Sequence, residues 1–387
     1  MRDERAFEAE REVGRIHAFF PILPGLGNRW AASRPWEGRR IALNLHLTPL
    51  TAALVRELAL GGGEFVLSAA NPHTTDPGSV DLLRNLGFEV YTGGDMEDRH
   101  LQALAHDPDL VVDVGFDLCS VLVQRRPELA RSLRGAVEIA RSGVHRLRER
   151  PSLPFPIVNI NDGRLKDAVE NRHGVGAGVW EAVTRLTGMH LSGRRVLVVG
   201  YGPVGMGLAS YGRASGMAVE VAEVDPIRRL FAHYDGFPTP TLSDGLSRAE
   251  LLVTATGRSG AITLDELKEH ARSGLVLINA GHGGNEIDIE GIQRAAERVD
   301  HVGDQVARYR LTGGQRLTLL GHGHPLNIVI NSGSPEPVLL HFAVLGLSLE
   351  WLAGHADDLA PGEHLIPERI EAAAATAALG ALNLTGA

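Results

Sequence analysis

Between Arg194 and Pro226 the chain reads RRVLVVGYGPVGMGLASYGRASGMAVEVAEVDP, and this stretch constrains the fold more than any other. Val196 to Val199 is a continuous aliphatic run, as expected of a strand buried on both faces of a parallel sheet. Gly200, Gly202 and Gly205 follow with the spacing G-x-G-x-x-G, and a helix-compatible segment comes next. The first glycine permits a tight turn, the second lets the backbone approach a pyrophosphate, and the third lets the helix pack closely on the strand. The helix N-terminus then offers free N–H groups and partial positive charge to phosphates. A second apolar strand, 217–222, delivers Glu223 where a carboxylate binds the adenosine ribose hydroxyls of NAD and repels the extra phosphate of NADP. Strand, glycines, helix, strand and acid in register predict an NAD-binding Rossmann unit.

The rest of the chain supports an α/β protein of two doubly wound domains. Its 387 residues suffice for two sizeable cores, and 44% hydrophobic with 22% charged residues is ordinary globular composition. A net charge of −9 argues against a nucleic-acid groove. The single cysteine, Cys119, excludes an intrachain disulfide and fits a cytoplasmic protein. The N-terminus alternates charges and reads as a surface helix rather than a signal peptide, and no membrane-spanning run is expected. Residues 37–130 alternate strand-like and helix-like segments, with polar residues after the strands at His46, Thr48, Asn71, His73, Thr74, Thr75 and Asp117. Proline-rich RERPSLPFPIVNIND reads as a crossing between lobes. Two more buried strands, in ELLVTATG and GLVLINAGHGG, end in small polar turns that place Thr254, Thr256 and Gly281 against the cofactor. The expected division is a substrate domain over 1–176 with 335–370 returning to it, an NAD domain over 177–334, and a helical segment over 371–387.

The pieces NINDGRLKDAVENRHG, VVGYGPVGMG, AEVDP, NAGHGGNEIDI and DQVARYRL occur in one order. Together they resemble the S-adenosyl-L-homocysteine hydrolase family, and LHLT and GFDL extend the likeness towards the N-terminus. The resemblance implies a redox-neutral reaction on a nucleoside-like small molecule, with NAD as resident oxidant. The sugar 3′-hydroxyl is oxidised, the C4′–H becomes acidic, the 5′ substituent is eliminated, water adds, and the hydride returns. It also implies roles. Lys166 and Asn171 match the stretch K-x-x-x-D-N, with Glu170 in place of its aspartate. Lys166 and Glu170 would share a helix face, which an ordinary surface ion pair also explains. His282 matches a histidine beside the substrate hydroxyl and nicotinamide, His46 one near the leaving group, and Asn327 a cofactor-site asparagine. His46 alone reads equally as a structural histidine. The family implies a homo-oligomer. GHGHP at 321–325 falls where the family has a gate loop, so no metal is expected.

The departures lie in substrate recognition. Around the substrate, where Thr48 matches the family turn, Leu50, Val114 and Ile139 replace carboxylates and Ser334 replaces a gate histidine. Ala140 and Arg141 replace threonines, Arg228 replaces a cofactor asparagine, and the family's lysine- and tyrosine-bearing tail has no counterpart after LNLTGA. The expected function is therefore an NAD-dependent hydrolase or lyase of changed specificity, concretely a nucleoside dehydratase. An ordinary adenosylhomocysteinase, a dehydrogenase releasing NADH and a non-catalytic NAD-binding regulatory homologue are the alternatives.

Overall fold

The computed structural model describes residues 2–150, 152–281 and 285–383. The chain divides into two compact units, Met1–Lys166 with Pro335–Ala387, and Asp167–Ser334. The change of unit thus falls at 166/167, where 176/177 was expected. The helix Glu368–Ala381 packs on Ile22–Ser33 and Glu336–His355 within the first unit, where a separate C-terminal segment was expected.

The first unit holds seven strands: β1 (Arg40–Leu45), β2 (Glu64–Ala69), β3 (Glu89–Tyr91), β4 (Leu110–Asp113), β5 (Gly135–Glu138), β6 (Pro156–Asn159) and β14 (Gly362–Leu365). Their order is β14-β6-β5-β4-β1-β2-β3, with every pairing parallel. The proline-rich stretch read as a crossing contains β6, since Pro156 opens the strand and Ile157 and Val158 are fully buried. The order of strands reverses at the β1/β4 junction, and ligands of such sheets bind outside the strand ends at that point.

The second unit holds β7 (Arg195–Val199), β8 (Ala218–Ala222), β9 (Leu251–Thr254), β10 (Leu275–Asn279), β11 (Ala296–Gly303), β12 (Val306–Leu311) and β13 (Arg316–Leu320). Their order is β11-β12-β13-β10-β9-β7-β8, parallel from β13 to β8, with β12 and β11 antiparallel at one edge. The reversal here lies between β7 and β9, so the glycine turn and Thr254–Gly257 flank one crevice of this unit. The α/β class with two doubly wound sheets is thus the observed architecture.

Glu336–His355 is long and apolar enough to cross a membrane by length and composition, contrary to the expectation that no such run exists. It packs instead against β5 and the helices Ile22–Ser33, Pro49–Ala59 and Glu368–Ala381 of the first unit. That burial explains its nearly all-round hydrophobicity.

A buried polar network crosses the first sheet. Asn44 donates to Asp113 Oδ1 at 2.8 Å and accepts at Oδ1 from Ser68 (3.4 Å) and His100 Nε2 (3.2 Å). Burial, with the charges of Arg99 and Arg146, holds the His100 imidazole down at about 4, so it is neutral in the native state. Its contribution to stability is present above the unfolded value near 6.5 and is lost as pH falls through about 4. Asp113 acts in the opposite sense, pushed up to about 6 by burial, so protonation between about 6 and 3.8 favours the native state. His100→Gln keeps a donor for Asn44 and removes only the first effect. The stability advantage of wild type over this variant, from urea unfolding, should shrink by up to about 3 kcal/mol between pH 7 and 4. Parallel pH profiles would contradict the assignment.

Candidate functional site

The three glycines of the second unit differ in what surrounds them. Gly200 has φ +95°, and a Cβ there would lie 2.7 Å from the Ala255 carbonyl oxygen, so both backbone and space require glycine. A Cβ on Gly205 would lie 2.0 Å from the Gly200 carbonyl oxygen, which is the close helix–strand approach assigned to the third glycine. Gly202 has ordinary backbone angles and room for a Cβ, which would touch only Arg228 Nη1 (3.7 Å) among the described residues, and it caps the helix Pro203–Ala214. Its missing side chain is therefore room for something outside the polypeptide, as the pyrophosphate role requires.

Glu223 ties this turn to the next strand. Its carboxylate accepts from Tyr201 N–H at 2.6 Å and Asp225 N–H at 2.9 Å while remaining half-buried, with lone pairs left for sugar hydroxyls. Tyr201 is packed beneath the turn, and its hydroxyl donates to Asp235 at 2.7 Å. Across the crevice, Thr254 is fully buried and donates to Asn279 Oδ1 at 3.1 Å, so it supports the site rather than lining it. Thr256 is half-buried, and its N–H and hydroxyl both go to Glu286 at 2.9 and 2.8 Å. Glu286 also accepts from Gly257 N–H at 2.7 Å, and a Cβ on Gly281 would collide with it.

Asn279 and Glu286 carry the organisation of this crevice, and sequence reasoning had not singled them out. Asn279 accepts from Gly281 N–H at 2.8 Å and donates to the carbonyls of Gly281 (2.9 Å) and Gly323 (2.8 Å). The signal was present in NAGHGGNE, where two polar residues flank a glycine run. The GHGHP turn is thereby docked on β10, and His322 bonds the Asp304 carbonyl at 2.7 Å. Asn327 follows on the helix Leu326–Val329, and its Oδ1 is buried without a hydrogen-bond partner among the described residues. A buried acceptor awaiting a donor, open space at Gly202 and the carboxylate of Glu223 all fit a dinucleotide. His282 lies outside the described residues.

In the first unit the β1/β4 junction carries His46, Thr48 and Leu50, all half-buried, beside buried Val114. Thr48 caps the helix Pro49–Ala59, and Thr51 Oγ1 donates to the His46 carbonyl at 2.5 Å. His46 Nδ1 lies 2.6 Å from Thr74 Oγ1, whose single proton goes to the Asn71 carbonyl at 3.0 Å. With the Thr74 proton on the Asn71 carbonyl, Thr74 accepts from His46 Nδ1–H, and Nε2 is then the ring nitrogen that carries no proton.

The acids at the ends of β4 and β5 face inwards. Glu138, fully buried, accepts from Gly115 N–H (3.0 Å), Phe116 N–H (2.8 Å) and Ala140 N–H (2.7 Å). Asp113, its cross-strand neighbour, accepts from Leu118 N–H (3.2 Å) and Cys119 N–H (2.8 Å). Burial and mutual repulsion push Glu138 well above the usual carboxylate range. Beyond them, Val114 and Ile139 are 3% and 9% exposed.

Lys166, Glu170 and Asn171 lie, all half-buried, on a π-helix, Lys166–Val175, where an ordinary helix was expected. Asn171 Nδ2 donates to Asp167 Oδ1 at 2.9 Å. Wide turns of this type occur mainly at functional positions. Lys166 ends the first unit, where it acts on a residue the sequence had not suggested, His341 of the helix Glu336–His355. Burial and the Lys166 charge hold His341 well below the usual imidazole range. Ser334 is exposed at the end of the second unit.

The glycine environments give a paired prediction. Gly205→Ala should lower stability by about 1–3 kcal/mol through overpacking. Gly202→Ala should leave the melting temperature of the cofactor-free chain unchanged and weaken NAD binding at least about tenfold, since a methyl fills the pyrophosphate approach. Calorimetric titration with thermal melts checks both, and equal effects of the two substitutions on NAD binding would contradict the division of roles.

Residues 171–333 match the family described as S-adenosyl-L-homocysteine hydrolase, NAD binding domain. Over nearly the full length, the chain is 34% identical to the S-inosyl-L-homocysteine hydrolase of Methanopyrus kandleri, covering 93% of this chain and 87% of that protein. It is 34% identical to the adenosylhomocysteinase of Aquifex aeolicus (94% and 89% covered) and 32% identical to that of Thermococcus kodakarensis (97% and 91% covered). With its NAD crevice and this likeness across both units, the chain belongs to the S-adenosyl-L-homocysteine hydrolase family, whose cofactor is NAD.

Proposed function

We propose that the protein is an NAD-dependent, redox-neutral elimination enzyme acting on a nucleoside-like substrate other than S-adenosyl-L-homocysteine. The observation that carries this reading is the contrast at the ends of β4 and β5. Asp113 spends its oxygens on backbone N–H groups and the Asn44 amide, and Glu138 on backbone N–H groups, while the adjoining Val114 and Ile139 are apolar and buried. A ribose hydroxyl or adenine amine desolvated against such a surface loses roughly 1–3 kcal/mol for each missing partner. Meanwhile the glycine turn, Glu223, Lys166 and Asn171 are retained.

When bound, NAD supplies a reversible hydride acceptor. The chain's own groups do the rest. Lys166 and Glu170 are the candidates for moving protons at the sugar carbon. His46 Nε2, basic because Thr74 holds the other nitrogen, is the candidate to exchange a proton with the leaving group or incoming water. His341, kept neutral by burial and the Lys166 charge, adds no positive charge of its own beside the lysine. Elimination of water, making the protein a nucleoside dehydratase, is the specific form of the reaction. A second reading, thioether cleavage with a base other than adenine, draws on the M. kandleri relative, which is named for S-inosyl-L-homocysteine.

Product masses from S-adenosyl- and S-inosyl-L-homocysteine and from the free nucleosides discriminate these readings. Loss of one water from a nucleoside supports the dehydratase, and release of homocysteine supports the second reading. Cleavage of S-adenosyl-L-homocysteine with kcat/KM of about 10⁴ M⁻¹s⁻¹ or more, in the ordinary enzyme range, would overturn both. With the true substrate, Thr74→Val should leave hydride abstraction intact, seen as transient NADH absorbance, but lower turnover at least about tenfold, with Thr74→Ser recovering most of it. Unchanged turnover in Thr74→Val would remove His46 orientation from the mechanism.

A further inference from the structure

We infer that Arg228 is a pyrophosphate-binding residue, its guanidinium completing the glycine turn as a charged clamp on the cofactor. This rests on the NAD site and is independent of the substrate reading above.

Among the described residues, chain neighbours aside, the only heavy atom within 4 Å of a Cβ built on Gly202 is Arg228 Nη1, at 3.7 Å. The position left open for a phosphate therefore faces a cation. The nearest atoms to a Cβ on Gly200 are the Ala255 and Thr256 backbone, and to one on Gly205 the Gly200 carbonyl and the Val198 side chain. Arg228 reaches there from the first turn of the helix Pro226–Tyr234, where Asp225 Oδ1 accepts its N–H at 3.2 Å and fixes the start of the helix.

Arg228 is exposed and solvent screens its charge, yet its position is one that helix dipoles do not favour. A cation in the first turn of a helix opposes the macrodipole. The guanidinium also leans over Gly202, the N-cap of the helix Pro203–Ala214, and so approaches the positive end of a second dipole. Two nearby arginines have protein partners. Arg229 donates to the Thr239 carbonyl at 2.8 Å, while Arg213 donates to the Asp235 carbonyl at 2.7 Å and stacks over Phe237. The Arg228 side chain makes no hydrogen bond or ion pair among the described residues. Of the acids nearby, Glu223 is held by Tyr201 and Asp225 N–H groups, and Asp225 by Ile227 and Arg228 N–H groups. A diphosphate entering at Gly202 brings two negative charges to two helix N-termini and a guanidinium built to grip phosphate oxygens in pairs. Because Gly202 is the point of closest approach, the group gripped is the bridging diphosphate and not a 2′-phosphate.

The test is the rate at which bound NAD leaves the holoenzyme into labelled NAD at low and high salt, with ADP-ribose and NADP as displacing ligands. Arg228→Asn should speed NAD release about tenfold or more at low salt and weaken ADP-ribose equally, since both carry the diphosphate. Its salt dependence should be shallower than wild type. Arg228→Lys should recover part of the loss, and Arg229→Asn should match wild type. Melting temperatures of the cofactor-free variants separate these effects from misfolding. Release within about twofold of wild type in Arg228→Asn, with an unchanged salt slope, would overturn the inference. So would a change confined to NADP, which would mean that Arg228 reads a 2′-phosphate. A wild-type chain that binds no NAD would defeat the cofactor assignment itself, and the inference with it.

Discussion

Carboxylates that accept backbone N–H groups hold the turns after β4, β5, β7 and β9, on which much of the functional reading depends. Parallel strands end in turns whose N–H groups have no ladder partner, and buried N–H groups must be satisfied. Here Glu138 holds the turns after β4 and β5, Asp113 the start of the helix Asp117–Arg125, Glu223 the glycine turn, and Glu286 the turn after β9. The acids sit at or just beyond the carboxyl ends of the strands, or on the adjoining loop, because that is where the unpaired donors accumulate. Burial raises both Asp113 and Glu138, with repulsion from Asp117 adding at Asp113 and from Asp113 at Glu138, and the N–H groups they accept from offset part of the cost.

This arrangement decides which acids are available to a ligand. Glu223 is half-buried and keeps lone pairs towards the crevice, so it serves the turn and the cofactor together. Glu138 is sealed beneath its turn, with Gly143 packed so closely that a Cβ would lie 2.2 Å from its carboxyl carbon. The β5 end of the first unit therefore presents Ile139 in place of a charge. The NAD crevice uses backbone geometry, glycine space and one outward acid, whereas the ends of β4 and β5 in the first unit present the apolar Val114 and Ile139.

Much of this was legible in the sequence because it rests on local rules. Aliphatic runs such as LVVD and RVLVV announce buried parallel strands, and the spacing from Gly200 to Glu223 carries the whole β7–helix–β8 unit. What escaped depends on distant partners. β14 is the polar run GEHL, which becomes a strand only because β6 offers a free edge and Glu363 meets Asn159 and Arg148 there. The π-helix at Lys166–Val175 has no period that distinguishes it from an α-helix. His341 and Asn44 look like stray polar residues in apolar segments until the fold brings Lys166 and Asp113 beside them. Thr254 was misjudged because a threonine at a strand end reads alike whether its hydroxyl faces a ligand or, as here, Asn279.

The central claim, an NAD-bound oxidation that serves elimination and is then reversed, is tested most directly by hydrogen exchange at the substrate. The holoenzyme is incubated with the nucleoside it accepts in D₂O, and deuterium at C4′ is followed by mass spectrometry alongside NADH absorbance. Deuterium should enter at C4′ while NADH rises only transiently and never accumulates. Stoichiometric NADH with no deuterium at C4′ would contradict the account and make the protein a simple dehydrogenase.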